Sequence, residues 1–513
     1  ALSLDSPLNP QFFAYGSLPI YLLKLVVTVL QPVWSALRDG GNIHLIARPL
    51  AALFDLGTVY LVYRLARRLQ PTAGDEKRAR RVALLAAAFT GFAVLHIQLA
   101  HFYTADPLMT FFIMLTLTLA AGVTENSSVR RDIAVGAALG LALATKISAA
   151  PLLLVVAVAY YSTTPRAGFR PRAESCSILR RAWAALPRMI LVLLVAAVLF
   201  ILVQPYALID MWSFLEDTGR EAEIARGSFD VPYTIQYLGT IPYLYPIWQS
   251  VLWGLALPLG LAGWAGLVAL VIRWLRRGSR FDALLLAWAG PYFVLTGLLY
   301  AKHLRYMLPL APVLCLLAAQ LLVPTRFRGD RAESEDTAGG HSRPGKSWLL
   351  AVPAILILVS AVAYALIFST LYSSTHSWIT ASEWIQRNVP AGSTLALEHW
   401  DRALPLPMEV DGAYRSPGIF TRNLLPLYDE PDDRAKWETI ASDLADSDYA
   451  VLATRRLYGS IPRAPDRYPV ATRYYEMLFA GELGFALEQE FTRHPTWLNP
   501  RIPPLADAAP GLL

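Results

Sequence analysis

The chain has 513 residues, 55% of them hydrophobic and 16% charged, and a mean hydropathy of +0.40. Soluble globular chains carry about a quarter charged residues, so the composition excludes a soluble protein and points to a polytopic membrane protein. A formal net charge of +6 would suggest nucleic acid in a soluble chain. Here the basic residues cluster in short loops between apolar runs, which makes them a topology signal, and no nucleic-acid partner is expected.

The chain opens on Ala1 with no basic leader and no signal-like apolar core, so an upstream segment is expected. Leu18 to Leu37 is an amphiphilic pattern too mixed for a clean span and is placed at the membrane surface. Ile43 to Tyr63 is long enough to cross about 30 Å of hydrocarbon. The stretch Arg64 to Arg81 that follows holds seven Lys or Arg and is cytoplasmic by the positive-inside rule. Residues 1–42 are then outside, and one further span is expected before them.

Val82 to Gln98 returns outward to the polar knot HFYTADP, and Leu108 to Val123 comes back to Arg130 and Arg131. Ile133 to Thr145 and Ala149 to Tyr161 are each shorter than the roughly 20 residues of a standard span, with Lys146 between them. They read as a short hairpin with its tip at or below the outer surface. Ser162 to Arg188 holds six arginines and is cytoplasmic. Met189 to Gln204 runs outward to the acidic, then Tyr- and Pro-rich, segment Pro205 to Tyr245. Trp248 to Ile272 returns to RWLRRGSR, Phe281 to Tyr300 goes out to KHLRYMLP, and Leu308 to Val323 comes back to a loose linker, Pro324 to Ser347.

Trp348 to Phe368 is the last span and delivers the remainder outside. That remainder is charged and mixed, with a helix pattern at Trp378 to Arg387, strand-like runs at Thr394 to Glu398 and Tyr449 to Ala453, and a helix-like Tyr474 to Gly484. The expected fold is a multi-pass α-helical membrane protein of about ten spans with a small extracytoplasmic α/β domain. Its parts are an outer-loop remnant with a surface helix (1–42), a transmembrane domain (43–370) and the outer domain (371–513).

On this topology the outer tips collect His101, Tyr103 and Asp106; Lys146; Gln204 and Tyr206; and Lys302, His303, Arg305 and Tyr306. A carboxylate with a histidine and several cations is what group transfer from a phosphorylated lipid requires. Cations hold the leaving phosphate, and an acid binds the acceptor or assists its deprotonation. Asp106, His101 and Tyr103 are the catalytic candidates; Lys146, Lys302, His303 and Arg305 the phosphate-binding ones; and Gln204, Tyr206 and Tyr306 line the cavity. Each group has a plainer explanation: Thr104 and Asp106 cap a helix, Lys146 snorkels to headgroups, and the 302–306 cluster is an interfacial anchor. Arg48 and Asp55, two turns apart on one helix, read as a structural pair.

Glu398, His399 and Asp401 form an EHWD run without a nucleophile or metal spacing, explained by a loop at a strand end. Asn126-Ser127-Ser128 is a chance glycosylation sequon on the cytoplasmic side. Cys176 in a basic loop and Cys315 in an apolar run form neither a metal spacing nor a disulfide. No cofactor is expected, and the need for a divalent metal is left open.

The strings HFYTADPLMTFF, GLALATKISAAP, DVPYTIQYLGTIPYLYP and KHLRYMLPLAP occur in that order. On them the chain resembles the polyprenyl-phosphate-dependent glycosyltransferases of the GT-C fold. It is similar to the bacterial family 39 branch that includes protein O-mannosyltransferases and the lipid A aminoarabinose transferase. The resemblance implies an enzyme of the bacterial cytoplasmic membrane that moves a sugar from a polyprenyl-phosphate donor to a lipid, glycan or protein acceptor outside. In it Asp106 matches the family's acid at the outer end of this hairpin, and Lys146 and KHLRY match its basic positions. The family's Asp-Glu pair in the first outer loop is not present, since Asp5 is the only acid before Asp39 and its setting differs. The main catalytic aspartate is therefore expected upstream, which would leave this chain inactive. A transporter, which should show inverted repeats and helices broken at mid-membrane, and a non-enzymatic scaffold or sensor remain as alternatives. Neither transporter feature is evident in the sequence.

Overall fold

A computed structural model of the chain describes residues 6–69, 76–126, 128–163, 174–323 and 351–493, without the side chains of 174–179 and 181. The expected linker at 324–347 lies outside the described residues. So do Ser127 of the sequon, the side chain of Cys176 and parts of the two basic loops.

The chain divides into two compact units. The first comprises residues 1–222, 243–298 and 303–366. Its apolar runs become helices because backbone polar groups in hydrocarbon must be satisfied within the segment. In chain order they are α1 (Leu18–Leu30), α2 (His44–Arg68), α3 (Glu76–Gly91), α4 (Val94–Ala100), α5 (Ala105–Glu125), α6 (Val129–Thr145), α7 (Leu152–Thr163), α8 (Glu174–Val203), α9 (Tyr206–Ile209) and α10 (Met211–Arg226). After α11 (Pro232–Ile235), which belongs to the second unit, come α12 (Leu244–Gln249), α13 (Leu257–Arg277), α14 (Arg280–Leu298), α15 (Ala311–Leu322) and α16 (Val352–Ser369).

Among the described residues six helices are long and apolar enough to cross a membrane, or seven if α3 and α4 count as one span. Three shorter apolar helices accompany them. By length alone the described residues give fewer helices of spanning length than the ten spans expected of the chain.

Three expectations need correction. Val82 to Gln98 is not one helix: it breaks after Gly91, and α3 and α4 meet at a 54° bend. A broken helix is therefore present. Trp248 to Ile272 is also divided, by a π turn at Ser250–Gly254 and by Ala256 at φ 70°, ahead of α13. The basic stretch before Arg188 is helical from Glu174, because arginine marks a membrane side without disfavouring helix.

Asp55 is paired with a different residue from the one expected. Its Oδ1 lies 2.5 Å from Nδ1 of the fully buried His96 on α4, a tertiary contact between helices in place of the local pair with Arg48. Close packing of α6 on α8 uses a small residue, since a Cβ on Gly140 would lie 2.5 Å from the Ala196 carbonyl oxygen. Asp132 on α6 accepts a fork of hydrogen bonds from Arg188 at 2.8 and 2.6 Å, and one from the Tyr160 hydroxyl at 2.7 Å.

The second unit comprises residues 223–242, 299–302 and 367–513. At its centre is a three-stranded parallel sheet in the order β4-β1-β5, with β1 at Thr394–Glu398, β4 at Thr421–Leu425 and β5 at Tyr449–Val451. A small antiparallel hairpin, β2 (Met408–Val410) with β3 (Ala413–Arg415), stands between β1 and β4 in sequence. Side chains alternate across β1. Leu395 and Leu397 pack with Ala381 and Ile385 of the helix Ser377–Asn388. Ala396 faces Ile440, Tyr474 and Tyr475 of the helices Arg434–Ala445 and Pro469–Ala480. The last helix has Pro469 in its first turn and ends at Gly481, whose φ of 76° suits a C-terminal glycine.

Candidate functional site

The site lies in the first unit, at the junction of α4 and α5. Pro107 sits in the first turn of α5 and Thr104 at its N-cap position, yet the Thr104 hydroxyl makes no capping bond. Among the described residues it has no partner, although it is buried. Asp106, 3% exposed, turns to Lys146, whose Nζ donates to its Oδ1 at 2.9 Å. The carboxylate therefore serves a buried ion pair rather than the helix end. Lys146 is in extended backbone between the end of α6 and the turn at Ile147–Ala149. Its Nζ lies 5.2 Å from the centre of the Tyr15 ring and 5.1 Å from that of Tyr306. An ammonium held between two aromatic faces and a carboxylate is not snorkelling to headgroups.

Tyr15 reaches this place because the segment before α1 is tied down at two points. Phe13 N–H donates to Asp217 Oδ2 at 2.8 Å, and Gly16 N–H to the Thr145 carbonyl at 3.1 Å. Arg305 Nη2 then donates to the Tyr15 hydroxyl at 3.4 Å, and its guanidinium lies 5.7 Å from the Tyr306 ring centre. The Tyr306 carbonyl accepts from the Tyr292 hydroxyl at 2.9 Å. Arg305 Nε is buried and has no hydrogen-bond partner among the described residues.

A cavity of ≈ 530 Å³ lies beside this cluster, lined by Ile20, Leu23, Val27 and Lys24 of α1 together with Asp106 and Arg305. An apolar wall and a charged group in one cavity suit an amphiphile with an anionic head. Glu221 on α10 also belongs to the cluster. Burial raises its carboxyl above the usual range, against the pull of Lys146 and Arg305.

The structure thus brings Asp106, Lys146, Arg305 and Tyr306 together. Tyr103 is close by on the cavity lining, its hydroxyl donating to the Pro19 carbonyl at 2.8 Å and pushed up to about 12 by burial. His101 donates from Nδ1 to the Ile97 carbonyl at 2.7 Å, at the C-terminal end of α4. His303 stands edge-on to Tyr306 at 5.3 Å. Burial, with Arg305 and Lys146 beside it, pushes His303 down to about 3. It is neutral at physiological pH and does not supply the positive charge expected of it. Lys302 belongs to the second unit, where its Nζ donates to the Tyr300 carbonyl at 3.3 Å. Gln204 and Tyr206 are buried where α8 gives way to α9, and Tyr206 is an electrostatic neighbour of Tyr21 on α1.

Sequence reasoning missed Tyr15, Gly16, Tyr292 and Glu221. For the acids of α10 the only available signal was their concentration on the expected outer side. Among the described residues no group of three or more His, Cys, Asp or Glu is placed to hold a metal ion.

Residues 40–214 match the family model described as Dolichyl-phosphate-mannose-protein mannosyltransferase. No curated protein matches the sequence. Among solved structures the chain is similar to the oligosaccharyltransferase of Archaeoglobus fulgidus in the apo form, with 15% identity over 76% of this chain and 56% of that one and a TM-score of 0.45. It is likewise similar to the oligosaccharyltransferase AglB from Archaeoglobus fulgidus in complex with an inhibitory peptide and a dolichol-phosphate. There the identity is 16%, the coverage 76% and 56%, and the TM-score 0.44. ArnT from Cupriavidus metallidurans bound to undecaprenyl phosphate is similar at 19% identity, over 76% of this chain and 73% of that one, with a TM-score of 0.42. The chain spans 56% of the length of the archaeal oligosaccharyltransferase.

Proposed function

We propose that the chain is a multi-pass membrane glycosyltransferase that takes a sugar from a polyprenyl-phosphate donor and passes it to a lipid, glycan or protein acceptor on the outer side of the cytoplasmic membrane. The observation that carries this reading is the half-buried Arg305 guanidinium, with a buried Nε donor that has no partner among the described residues, lining an apolar cavity next to the Lys146–Asp106 pair. The match over residues 40–214, which contain Asp106 and Lys146, supports it.

In this proposal the bond between the sugar's anomeric carbon and the phosphate oxygen breaks, and the phosphate keeps the electron pair. Arg305 and Lys146 stabilise the charge that develops there. The acceptor oxygen bonds to the anomeric carbon and gives its proton to Asp106, the candidate acid in this chain, whose contact with Lys146 also orients that cation. Tyr103 bounds the space in which the sugar sits. His303, neutral, contributes as a hydrogen-bonding group. The outer face of the membrane is assigned to the second unit.

The test is binding of undecaprenyl phosphate to the full chain in lipid nanodiscs. Lys146→Ala weakens it about ten- to a hundred-fold, the loss of a charge-assisted hydrogen bond of roughly 1.5 to 3 kcal/mol. Lys146→Arg restores part of it. Unchanged affinity in both variants overturns the assignment.

The α3–α4 bend and the part-buried Asp55–His96 pair favour a second reading, a polytopic transporter. Asp55→Asn separates the two, because it would abolish flux in a transporter and leave lipid-phosphate binding in a transferase.

A further inference from the structure

We propose that the carboxyl edge of the parallel sheet in the second unit binds a neutral sugar ring, with Trp400 as the stacking platform and Asp401 as the acceptor of its hydroxyls. The inference stands on the second unit alone and does not rest on the transferase site. β1 is the central strand, with β4 on one side and β5 on the other. Open α/β sheets receive ligands outside the carboxyl ends of their strands, where the strand order reverses. The chain leaves β1 there as Glu398, His399, Trp400 and Asp401.

Trp400 has φ 67°, a conformation that a bulky side chain adopts only when its surroundings impose it. Its carbonyl accepts from Arg456 Nη1, which pins the strained peptide to the segment after β5. The indole is nevertheless 46% exposed. It is held edge-on to Tyr428, at the end of β4, with ring centres 5.8 Å apart and planes at 77°. A large aromatic is thus rigidly presented to solvent at the mouth of the sheet.

The polar groups around it have spare capacity. Asp401 Oδ2 accepts from the Thr454 hydroxyl at 2.7 Å, and its Oδ1 is buried without a partner among the described residues. Glu398 is 3% exposed. Its Oε1 accepts from the Tyr475 hydroxyl at 2.5 Å, and its Oε2 has no partner among the described residues. His399 Nε2 lies 3.2 Å from Asp429 Oδ1.

The charge state selects the class of ligand. Burial, with Asp401 nearby and against the Tyr475 hydrogen bond, pushes Glu398 up to about 8, so near neutral pH it is a carboxylic acid. Burial also holds His399 below its ordinary value. Glu398 and Asp401 both ionised would call for a cation, and the carboxylates of Asp401 and of Asp429 beside His399 repel an anion, with Arg456 engaged by the Trp400 carbonyl. A protonated acid beside an acceptor suits hydroxyl groups, which both donate and accept. An exposed indole suits the C–H face of a sugar ring.

The experiment is saturation-transfer NMR on the full chain in nanodiscs. The probes are methyl α-D-glucopyranoside and N-acetylglucosamine as neutral rings, glucosamine as a cation and glucuronate as an anion. Both neutral probes should bind at millimolar concentration, and Asp401→Asn and Trp400→Gly should each weaken them tenfold or more. Glycine adopts the left-handed φ freely, so Trp400→Gly removes the platform without lowering the melting temperature. Raising pH through 8 should weaken the neutral probes as Glu398 ionises beside Asp401, Tyr474 and Tyr475. No transfer from either neutral ring, binding unchanged in both variants, or preference for glucosamine or glucuronate would overturn the proposal. The first result would leave the spare oxygens to water.

Discussion

Gly16 approaches Ala144 so closely that a Cβ on it would lie 1.9 Å from the Ala144 carbonyl oxygen. The segment before α1 can reach the end of α6 only without a side chain at this position, and the contact sets Tyr15 over Lys146. Gly16→Ala should move Tyr15 away from both Lys146 and Arg305. We expect undecaprenyl-phosphate affinity to fall about tenfold, from the loss of a cation–π contact and a hydrogen bond together. Tyr15→Phe should cost less, since it removes the hydroxyl and keeps the ring. Titration of the lipid against the two variants gives the comparison.

Asp106 and Lys146 should be energetically coupled. Removing one partner of a buried ion pair leaves the other uncompensated, a cost of about 3–5 kcal/mol. Lys146→Ala and Asp106→Asn should therefore each lower the melting temperature, and the double variant should recover part of the sum. Strict additivity in thermal unfolding of the four proteins would show that the 2.9 Å contact carries no coupling.

His303 should make the fold acid-sensitive. Its native value, about 3, lies below the ordinary 6.5, so the unfolded chain binds a proton that the folded chain refuses. The stability is fully present above about pH 6.5 and is lost as pH falls toward 3. His303→Gln should flatten that part of the curve of melting temperature against pH.

Glu398 should act in the other direction at higher pH. Its native value, about 8, lies above the ordinary 4.5, so the folded chain keeps a proton that the unfolded chain releases. Stability is greatest below about pH 4.5 and falls as pH rises to about 8, by an amount on the order of a few kcal/mol. Glu398→Gln should remove the decline and be the more stable form at pH 8. An identical pH profile for the two proteins would refute the burial argument.

The side of the membrane can be read with thiol reagents in a chain lacking Cys176 and Cys315. A cysteine at the exposed Asn126 should be protected in intact cells, and one at the exposed Glu482 should label. The reverse result would invert the topology derived from the distribution of Lys and Arg.

Asp106, Lys146 and Arg305 were legible in the sequence because charged residues interrupting apolar runs demand a partner, and their spacing put them on one side. Tyr15, Gly16 and Glu221 were not, because they lie in polar stretches where such residues are unremarkable. Their role comes from a fold that returns residues 13–16 against Thr145 and Asp217. His96 was hidden for a similar reason. Nothing local to Asp55 indicates a partner on another helix. The π turn at Ser250–Gly254 carries no compositional mark, whereas β1 was readable to the residue because its apolar run is bounded by turn signals. Trp400 was overlooked because strain in a backbone dihedral leaves no trace in the order of residues.

The lengths of α6 and α7 bear on the shape of the lipid around the protein. They have 17 and 12 residues, which rise about 25 and 18 Å, while hydrocarbon is about 30 Å thick. A short helix in a full-thickness bilayer is accommodated by local thinning. With α6 and α7 set in a bilayer, the water boundary next to Lys146 would lie deeper than beside the longer helices α2 and α5. If the donor is the proposed polyprenyl phosphate, its headgroup would meet the lysine by following that dimple, without being lifted out of its own monolayer.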